Sequence, residues 1–205
     1  MKDIEPMQQS TDHRLIYLHG FRSSPQSTKA QILRQRFAAL SIADRFFCPQ
    51  LPMSPMASLD LVHTAIHPDS RDVFVGSSLG GLYAHWLAER YGSRCVLINP
   101  AIYPSKSLAS HVGSLKSYHS EELLEWTLKD VQELEAIESV PLTRPERYLL
   151  LAATGDELID FRDMVARYAG SMQFVVEGSD HAFSCFEDYL DRVLAFSGFD
   201  PGVKP

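Results

Sequence analysis

Three stretches of this chain, Asp72–Gly76, Cys95–Asn99 and Arg147–Ala153, are almost continuously apolar. A strand with one face in water alternates polar and apolar residues. A continuous run means that both faces are covered, as in a parallel sheet between two layers of helices. Three further short runs, Arg14–His19, Asp44–Cys48 and Gln173–Glu177, bring the expected strands to six. Helical spacing separates them. Ser27–Leu40 carries Ile32, Leu33, Phe37 and Leu40. Leu79–Tyr91 carries Leu82, Trp86 and Leu87, with Gly92 as its C-cap. Phe183–Phe196 carries Phe186, Leu190, Val193, Leu194 and Phe196. Strands alternating with such helices read as an α/β fold, a doubly wound, mainly parallel sheet flanked by helices.

The chain has 205 residues, which suits one domain, expected over 14–198, with tails at 1–13 and 199–205. The interval from Pro100 to Glu146 is too long for a single crossover helix. Within it Ser120–Glu138 is expected to be a helix capped by Ser120, with Leu124, Leu128, Val131 and Leu134 on one side. Pro104–His119 reads as loop. The segment 102–146 is therefore expected to form a small helical cap over the site, a plain long crossover being the alternative.

Nineteen basic residues against twenty-six acidic ones give a net charge of −7, the wrong sign for a phosphate-backbone footprint, so nucleic acid is not an expected partner. No apolar run reaches the length of a membrane span. Met1–His13 has no apolar stretch of the signal-peptide kind. The three cysteines, Cys48, Cys95 and Cys185, offer neither a C-x-x-C pair nor a disulfide framework, and a cytoplasmic setting is expected. The eight histidines have no close ligand spacing, so no metal is expected.

Gly76-Ser77-Ser78-Leu79-Gly80 matches G-x-S-x-G, and it lies between an apolar strand and a helix. A sharp turn there exposes a serine hydroxyl, and flanking glycines let strand and helix approach. The plainer alternative is a glycine-rich turn with an idle or phosphate-binding serine. No G-x-x-x-x-G-K-[ST] loop accompanies it.

A serine nucleophile needs a base. His181, in the turn Gly178-Ser-Asp-His-Ala-Phe183, follows the last strand and so emerges at the carboxyl edge, as Ser78 does. Asp156, Glu157 and Asp160 follow the fifth strand to the same edge. Asp156 is best placed to orient His181, and Asp160 is its competitor. The order Ser78, Asp156, His181 is that of α/β-hydrolases. Oxyanion donors are expected from the loop after the first strand, His19-Gly20-Phe21-Arg22, and from the backbone of Leu79. A strand order 2-1-3-4-5-6 would put both at the topological switch point, where ligands bind.

With these residues in hand the chain resembles the YqiA family of small bacterial esterases within the α/β-hydrolases. The matching stretches are Tyr17-Leu-His-Gly-Phe21, Ser23-Ser-Pro25, Lys29-Ala30, Pro49-Gln-Leu-Pro52, Val75-Gly-Ser-Ser-Leu-Gly-Gly81, Asn99-Pro-Ala101, Thr154-Gly-Asp-Glu157, Asp180-His-Ala-Phe183 and Phe186-Glu-Asp188. The resemblance implies a cofactor-free serine esterase acting on short-chain acyl esters and acyl-CoA thioesters. It implies catalytic Ser78, Asp156 and His181, with Phe21 and Leu79 as backbone oxyanion donors. In that family an Asn-Pro-Tyr-Thr-Gly turn follows Asn-Pro-Ala. Ile102–Ser120 has nothing comparable, so substrate preference is expected to depart there.

An acyltransferase on the same residues and a binding protein without catalysis are the competing readings. All three positions of the triad are filled, which disfavours the second. Cys48, Cys95, Cys185, His85 and Trp86 read as packing residues. His111 and His119 are candidates to face the site from the cap. The acidic run Glu121–Glu138 reads as a solvated helix face.

Overall fold

The computed structural model describes residues 13–118 and 121–199. Six strands form one parallel sheet: β1 (Leu15–Leu18), β2 (Phe46–Phe47), β3 (Val73–Ser77), β4 (Arg94–Ile98), β7 (Tyr148–Ala153) and β8 (Met172–Val176). A separate antiparallel hairpin pairs β5 (Gly113–Lys116) with β6 (Leu123–Trp126). The helices are α1 (Thr28–Ala39), α2 (Pro55–Ile66), α3 (Leu79–Tyr91), α4 (Pro104–Leu108), α5 (Leu128–Glu138), α6 (Phe161–Arg167) and α7 (Phe186–Phe196). The sheet order is β2-β1-β3-β4-β7-β8, and every neighbouring pair in it is parallel. Counting sheet strands only, that is 2-1-3-4-5-6, the order that puts the first and third strands at the topological switch point.

The continuous apolar runs are explained by two cores, one on each face of the sheet. Ile16, Phe74, Leu97 and Leu150 point to the side covered by α2, α3, α5 and α6. Their immediate neighbours Leu15, Val73, Ile98 and Leu151 point to the side covered by α1 and α7. Successive strand side chains alternate faces, so burying both faces demands apolar residues at every position.

The interval after Asn99 departs from expectation. The helix expected over Ser120–Glu138 is confined to Leu128–Glu138, because a capping box starts it later. Thr127 Oγ1 accepts from Asp130 N–H at 3.2 Å, and Asp130 Oδ2 accepts from Thr127 N–H at 2.8 Å. Leu123–Trp126 is strand instead, and Trp126 is buried. The proposed cap Ser120, like His119, lies outside the described residues. Pro104–His119 is not simply loop, since it contains α4, a 3₁₀ turn and β5. The acidic run is not uniformly solvated. Asp130 is buried in the capping box, Glu133 accepts from Ser54 Oγ at 2.8 Å and Met56 N–H at 3.0 Å, and Glu138 accepts from Ser105 N–H and Oγ at 3.1 and 2.6 Å.

Besides α4, two helices were not expected from periodicity. Ser54-Pro55 begins α2, with Ser54 Oγ accepting Ala57 N–H at 3.2 Å and Pro55 at the first helical position. Asp160 begins α6 by accepting Arg162 N–H at 2.9 Å. The last helix starts at Phe186 rather than Phe183, whose φ of 52° is left-handed and non-helical.

Candidate active site

The turn between β3 and α3 places Ser78 at φ 55°, ψ −125°, far from helical values. Non-glycine residues adopt such a conformation only when their surroundings enforce it. The enforcing contacts are visible. Ser78 N–H donates to Ile98 carbonyl at 3.1 Å, and Ser78 carbonyl accepts from Gly81 and Ala101 N–H at 2.9 and 3.0 Å. A Cβ on Gly76 would lie 2.1 Å from Gly80 carbonyl oxygen, and one on Gly80 would lie 2.1 Å from Leu18 carbonyl oxygen. Only glycines let the start of α3 close on both β3 and β1.

His181 lies in the turn between β8 and α7. Its Nδ1 is 2.8 Å from Asp156 Oδ2, and its Nε2 is 2.9 Å from Ser78 Oγ. A buried carboxylate only accepts, so Nδ1 carries the proton and donates. Nε2 of the neutral ring is then the acceptor for the Ser78 hydroxyl. The Asp156 side chain is fully buried and that of His181 is 18% exposed. Asp156 Oδ1 accepts from Leu158 and Ile159 N–H at 2.8 and 2.9 Å, which locks the carboxylate in place. Glu157 Oε2 accepts from His181 N–H at 2.9 Å. Asp160 caps α6 and pairs with Arg162, so the chain of hydrogen bonds runs through Asp156.

Phe21 and Leu79 border the same cavity as Ser78 and His181. Leu79 is the first residue of α3, so its N–H has no acceptor within the helix. Gly20 makes room for the serine, since a Cβ there would sit 3.3 Å from Ser78 Cβ.

Two buried positioning residues were not singled out as site residues from the sequence. Asn99, at the end of β4 with φ 41°, is completely buried. Its Oδ1 accepts from Ala153 N–H at 2.8 Å, and its Nδ2 donates to the carbonyls of Asp180 and His181 at 2.9 and 3.2 Å. His19 is likewise buried and holds the loop of Phe21. Its Nε2 accepts from Leu51 N–H at 3.1 Å, while Nδ1 is 3.1 Å from Gly20 carbonyl. The detectable signal was a polar residue at the end of an apolar run, where a backbone partner has to be found.

The cavity in front of Ser78 measures about 690 Å³. Its walls include Phe21, Leu158, Ile159, Phe183 and Phe186, together with Pro104, Ser107, Leu108, His111 and Tyr118 from the long interval. That interval therefore reaches the site. It is tied there by Tyr118 N–H donating to Arg22 carbonyl at 3.0 Å, and by Trp126 packed edge-on against Phe21 with ring centroids 5.0 Å apart. Lys29 also borders the cavity and donates to Ala182 carbonyl. Burial pushes its ammonium pKa down to about 8, against the opposing charge of Asp180.

Cys48, Cys95 and Cys185 are unpaired, and Cys185 packs against the core under α7. His85 is buried and lies 3.1 Å from Val140 carbonyl, a packing role. Among the described residues no cluster of His, Cys, Asp and Glu could hold a metal ion, and no helix is long and apolar enough to cross a membrane.

A UPF0227 protein of Yersinia enterocolitica is 24% identical over 190 residues, covering 89% of this chain and 97% of its own. Among solved structures, a putative hydrolase from Agrobacterium vitis superposes with a TM-score of 0.68 at 17% identity, over 90% of this chain and 88% of the other. A structure from the metagenome-derived lipolytic enzymes LipS and LipT gives 0.63 at 16% identity, over 91% and 94%. These structural likenesses fix the fold as that of the α/β-hydrolases. The family model described as Uncharacterised protein family (UPF0227) matches residues 14–198, nearly the whole chain, and the protein belongs to that family.

Proposed function

We propose that the protein is a serine hydrolase of carboxylic esters with short acyl chains and of the corresponding thioesters, with Ser78, His181 and Asp156 as its triad. The observation that carries this is the continuous set of hydrogen bonds from Asp156 through His181 to Ser78, at 2.8 and 2.9 Å, ending on a serine in a strained turn. In this reading Ser78 Oγ attacks the acyl carbon while His181 Nε2 takes the hydroxyl proton. The oxyanion that forms is held by the N–H groups of Phe21 and Leu79. His181 then gives its proton to the departing alcohol or thiol, leaving Ser78 acylated. A water molecule, losing its proton to His181, attacks the acyl-enzyme and releases the carboxylic acid and free Ser78. Asp156 keeps the ring in the correct tautomer and stabilises the imidazolium without itself taking the proton. The three unpaired cysteines fit a reducing, cytoplasmic setting for this chemistry.

The test is covalent labelling with a fluorophosphonate together with turnover of p-nitrophenyl butyrate. Ser78→Ala is expected to abolish labelling and to reduce turnover by roughly 10³-fold or more, whereas Ser77→Ala retains both. Labelling that maps to Ser77 by peptide mass spectrometry, or no labelling of the wild type, would refute the assignment.

A further inference from the structure

The protein carries a net charge of −7, yet its active-site cavity has no acidic side chain among the described residues that line it. The charged lining residues are Arg22 and Lys29, with His111 and His181 beside them. Asp156 lies behind His181 with its carboxylate buried and fully engaged. Neither Lys29 nor Arg22 forms an ion pair among the described residues. Asp180, whose charge Lys29 feels, has its own carboxylate held by Ser184 N–H and Oγ at 2.9 and 2.7 Å.

Both cations are positioned rather than splayed into water. Lys29 extends from the first turn of α1 to donate to Ala182 carbonyl, the residue after the proposed base. One of its three donors is thereby used. Arg22 directly follows Phe21, and its guanidinium lies 4.3 Å over the Tyr118 ring with Nε donating to Lys116 carbonyl at 2.6 Å. The contact to a carbonyl orients the fork without neutralising it. A partly desolvated cation lacking a counter-ion is a standing cost that a bound anion removes. Burial lowers the ammonium pKa of Lys29 to about 8, and the nearby charge of Asp180 offsets only part of that.

We propose that this cavity selects esters bearing an anionic group, a carboxylate or a phosphate, with Lys29 and Arg22 as its charge partners. The proposal rests on the hydrolase reading and narrows its substrate class. His181 must reach the departing oxygen, so the alcohol half of the ester lies along the His181 turn, where Lys29 is anchored. Charge on the alcohol half is thus the arrangement the geometry favours.

The experiment compares esters in matched pairs, each anionic member against its primary amide. The pair 4-carboxyphenyl butyrate and 4-carbamoylphenyl butyrate puts the charge on the alcohol half. The mono-p-nitrophenyl ester of adipic acid and its amide put it on the acyl half. A charge-assisted contact predicts a kcat/KM ratio of anion over amide of about tenfold to a hundredfold in the wild type. The pair that shows it identifies the half recognised. Lys29→Met or Arg22→Gln should bring that ratio toward one, and Lys29→Arg should retain it. A shift of the His181 turn in Lys29→Met would slow both members of a pair alike and leave the ratio unmoved. If Lys29→Met does not fold, the wild-type ratio and Arg22→Gln decide. Ratios near one in both wild-type pairs, or a preference untouched by Lys29→Met and Arg22→Gln, would overturn the proposal while neutral-ester turnover leaves the hydrolase reading intact. A wild type that neither labels with fluorophosphonate nor turns over any ester would overturn both.

Discussion

Asn99 offers a stringent test of how the site is held. Its amide joins the end of β7, through Ala153 N–H, to the turn carrying His181, through the carbonyls of Asp180 and His181. Asn99→Ala strands one donor, the fully buried Ala153 N–H, and two acceptors, the carbonyls of the half-buried Asp180 and His181. Leaving a buried polar group unmade costs about 1–3 kcal/mol, and partial relaxation keeps the three from adding fully. A loss of about 3 kcal/mol is therefore expected. In a chain of this size each kcal/mol moves Tm by about 2–4 °C, so Tm should fall by about 6–12 °C. Activity should suffer separately, since a displacement of about 1 Å at the base can cost about 10²-fold in rate. Asn99→Asp separates the two effects. It preserves an acceptor for Ala153 N–H but turns a carboxylate oxygen toward two carbonyls, so the His181 turn should be pushed away. Differential scanning fluorimetry measures the first effect, and kcat on p-nitrophenyl butyrate at a temperature well below Tm measures the second. A Tm change under about 2 °C in Asn99→Ala, or unaltered kcat in both variants, would show that the turn is held by something other than this amide.

Four further outcomes follow from particular contacts. Asp156→Asn should lower kcat by about 10³–10⁴-fold through the wrong ring tautomer, whereas Asp160→Asn, which keeps an N-cap oxygen for Arg162 N–H at the start of α6, should cost far less. The reverse ranking in matched assays would move the acid to Asp160. Gly80→Ala drives a methyl into Leu18 and His19 carbonyl oxygens and should destabilise by about 1–3 kcal/mol or more; a fully stable, fully active variant would mean that α3 and β1 are less tightly apposed. Among neutral p-nitrophenyl esters, each added methylene that reaches Leu108, Phe183 or Phe186 should improve kcat/KM by about 0.8 kcal/mol, then lose it where the cavity ends, and a flat series would deny that these walls meet the acyl chain. Burial pushes the Glu133 carboxyl pKa up, but the N–H of Met56 and the hydroxyl of Ser54 more than offset this and hold it low. Its stabilisation is thus present above the unfolded-state pKa and lost as pH falls through the folded one. Glu133→Gln should lower Tm at pH 7 and matter progressively less on acidification, and an equal loss at every pH would assign its role to shape alone.

What the sequence made legible, and what it did not, divides along a physical line. Continuous apolar runs report burial on two faces, so the strands of the parallel sheet could be anticipated, whereas their order is a matter of pairing across the sheet. A glycine-flanked serine at the end of such a run reports a turn that only glycines permit, and the chain order of Ser78, Asp156 and His181 then follows the sheet. The choice between Asp156 and Asp160 was open from residue types alone, since both follow β7 within a few residues. The structure separates them by burial: Asp156 faces His181, and Asp160 starts a helix. The region after Asn99 misled because Leu124, Leu128, Val131 and Leu134 satisfy a helical period, while Leu123–Trp126 pairs with β5. Periodicity cannot see a partner strand, but the Thr127–Asp130 capping box could have placed the helix start at Leu128.

The positioning roles of Asn99 and His19, both of which lie within longer matching stretches, are hidden in the sequence for a related reason. Each is one polar residue closing an apolar run, and its significance lies in which backbone groups it meets across the fold. Ala153 is 54 positions from Asn99, and His181 is 82. Such partners are invisible to any local pattern, yet they hold the His181 turn against Ser78. The residues of the proposed triad advertise themselves because chemistry restricts their identity. The positioning residues are recognisable only through unsatisfied hydrogen bonds, which is why a polar residue at the carboxyl end of a buried parallel strand should be examined as a brace for the site before it is dismissed as packing.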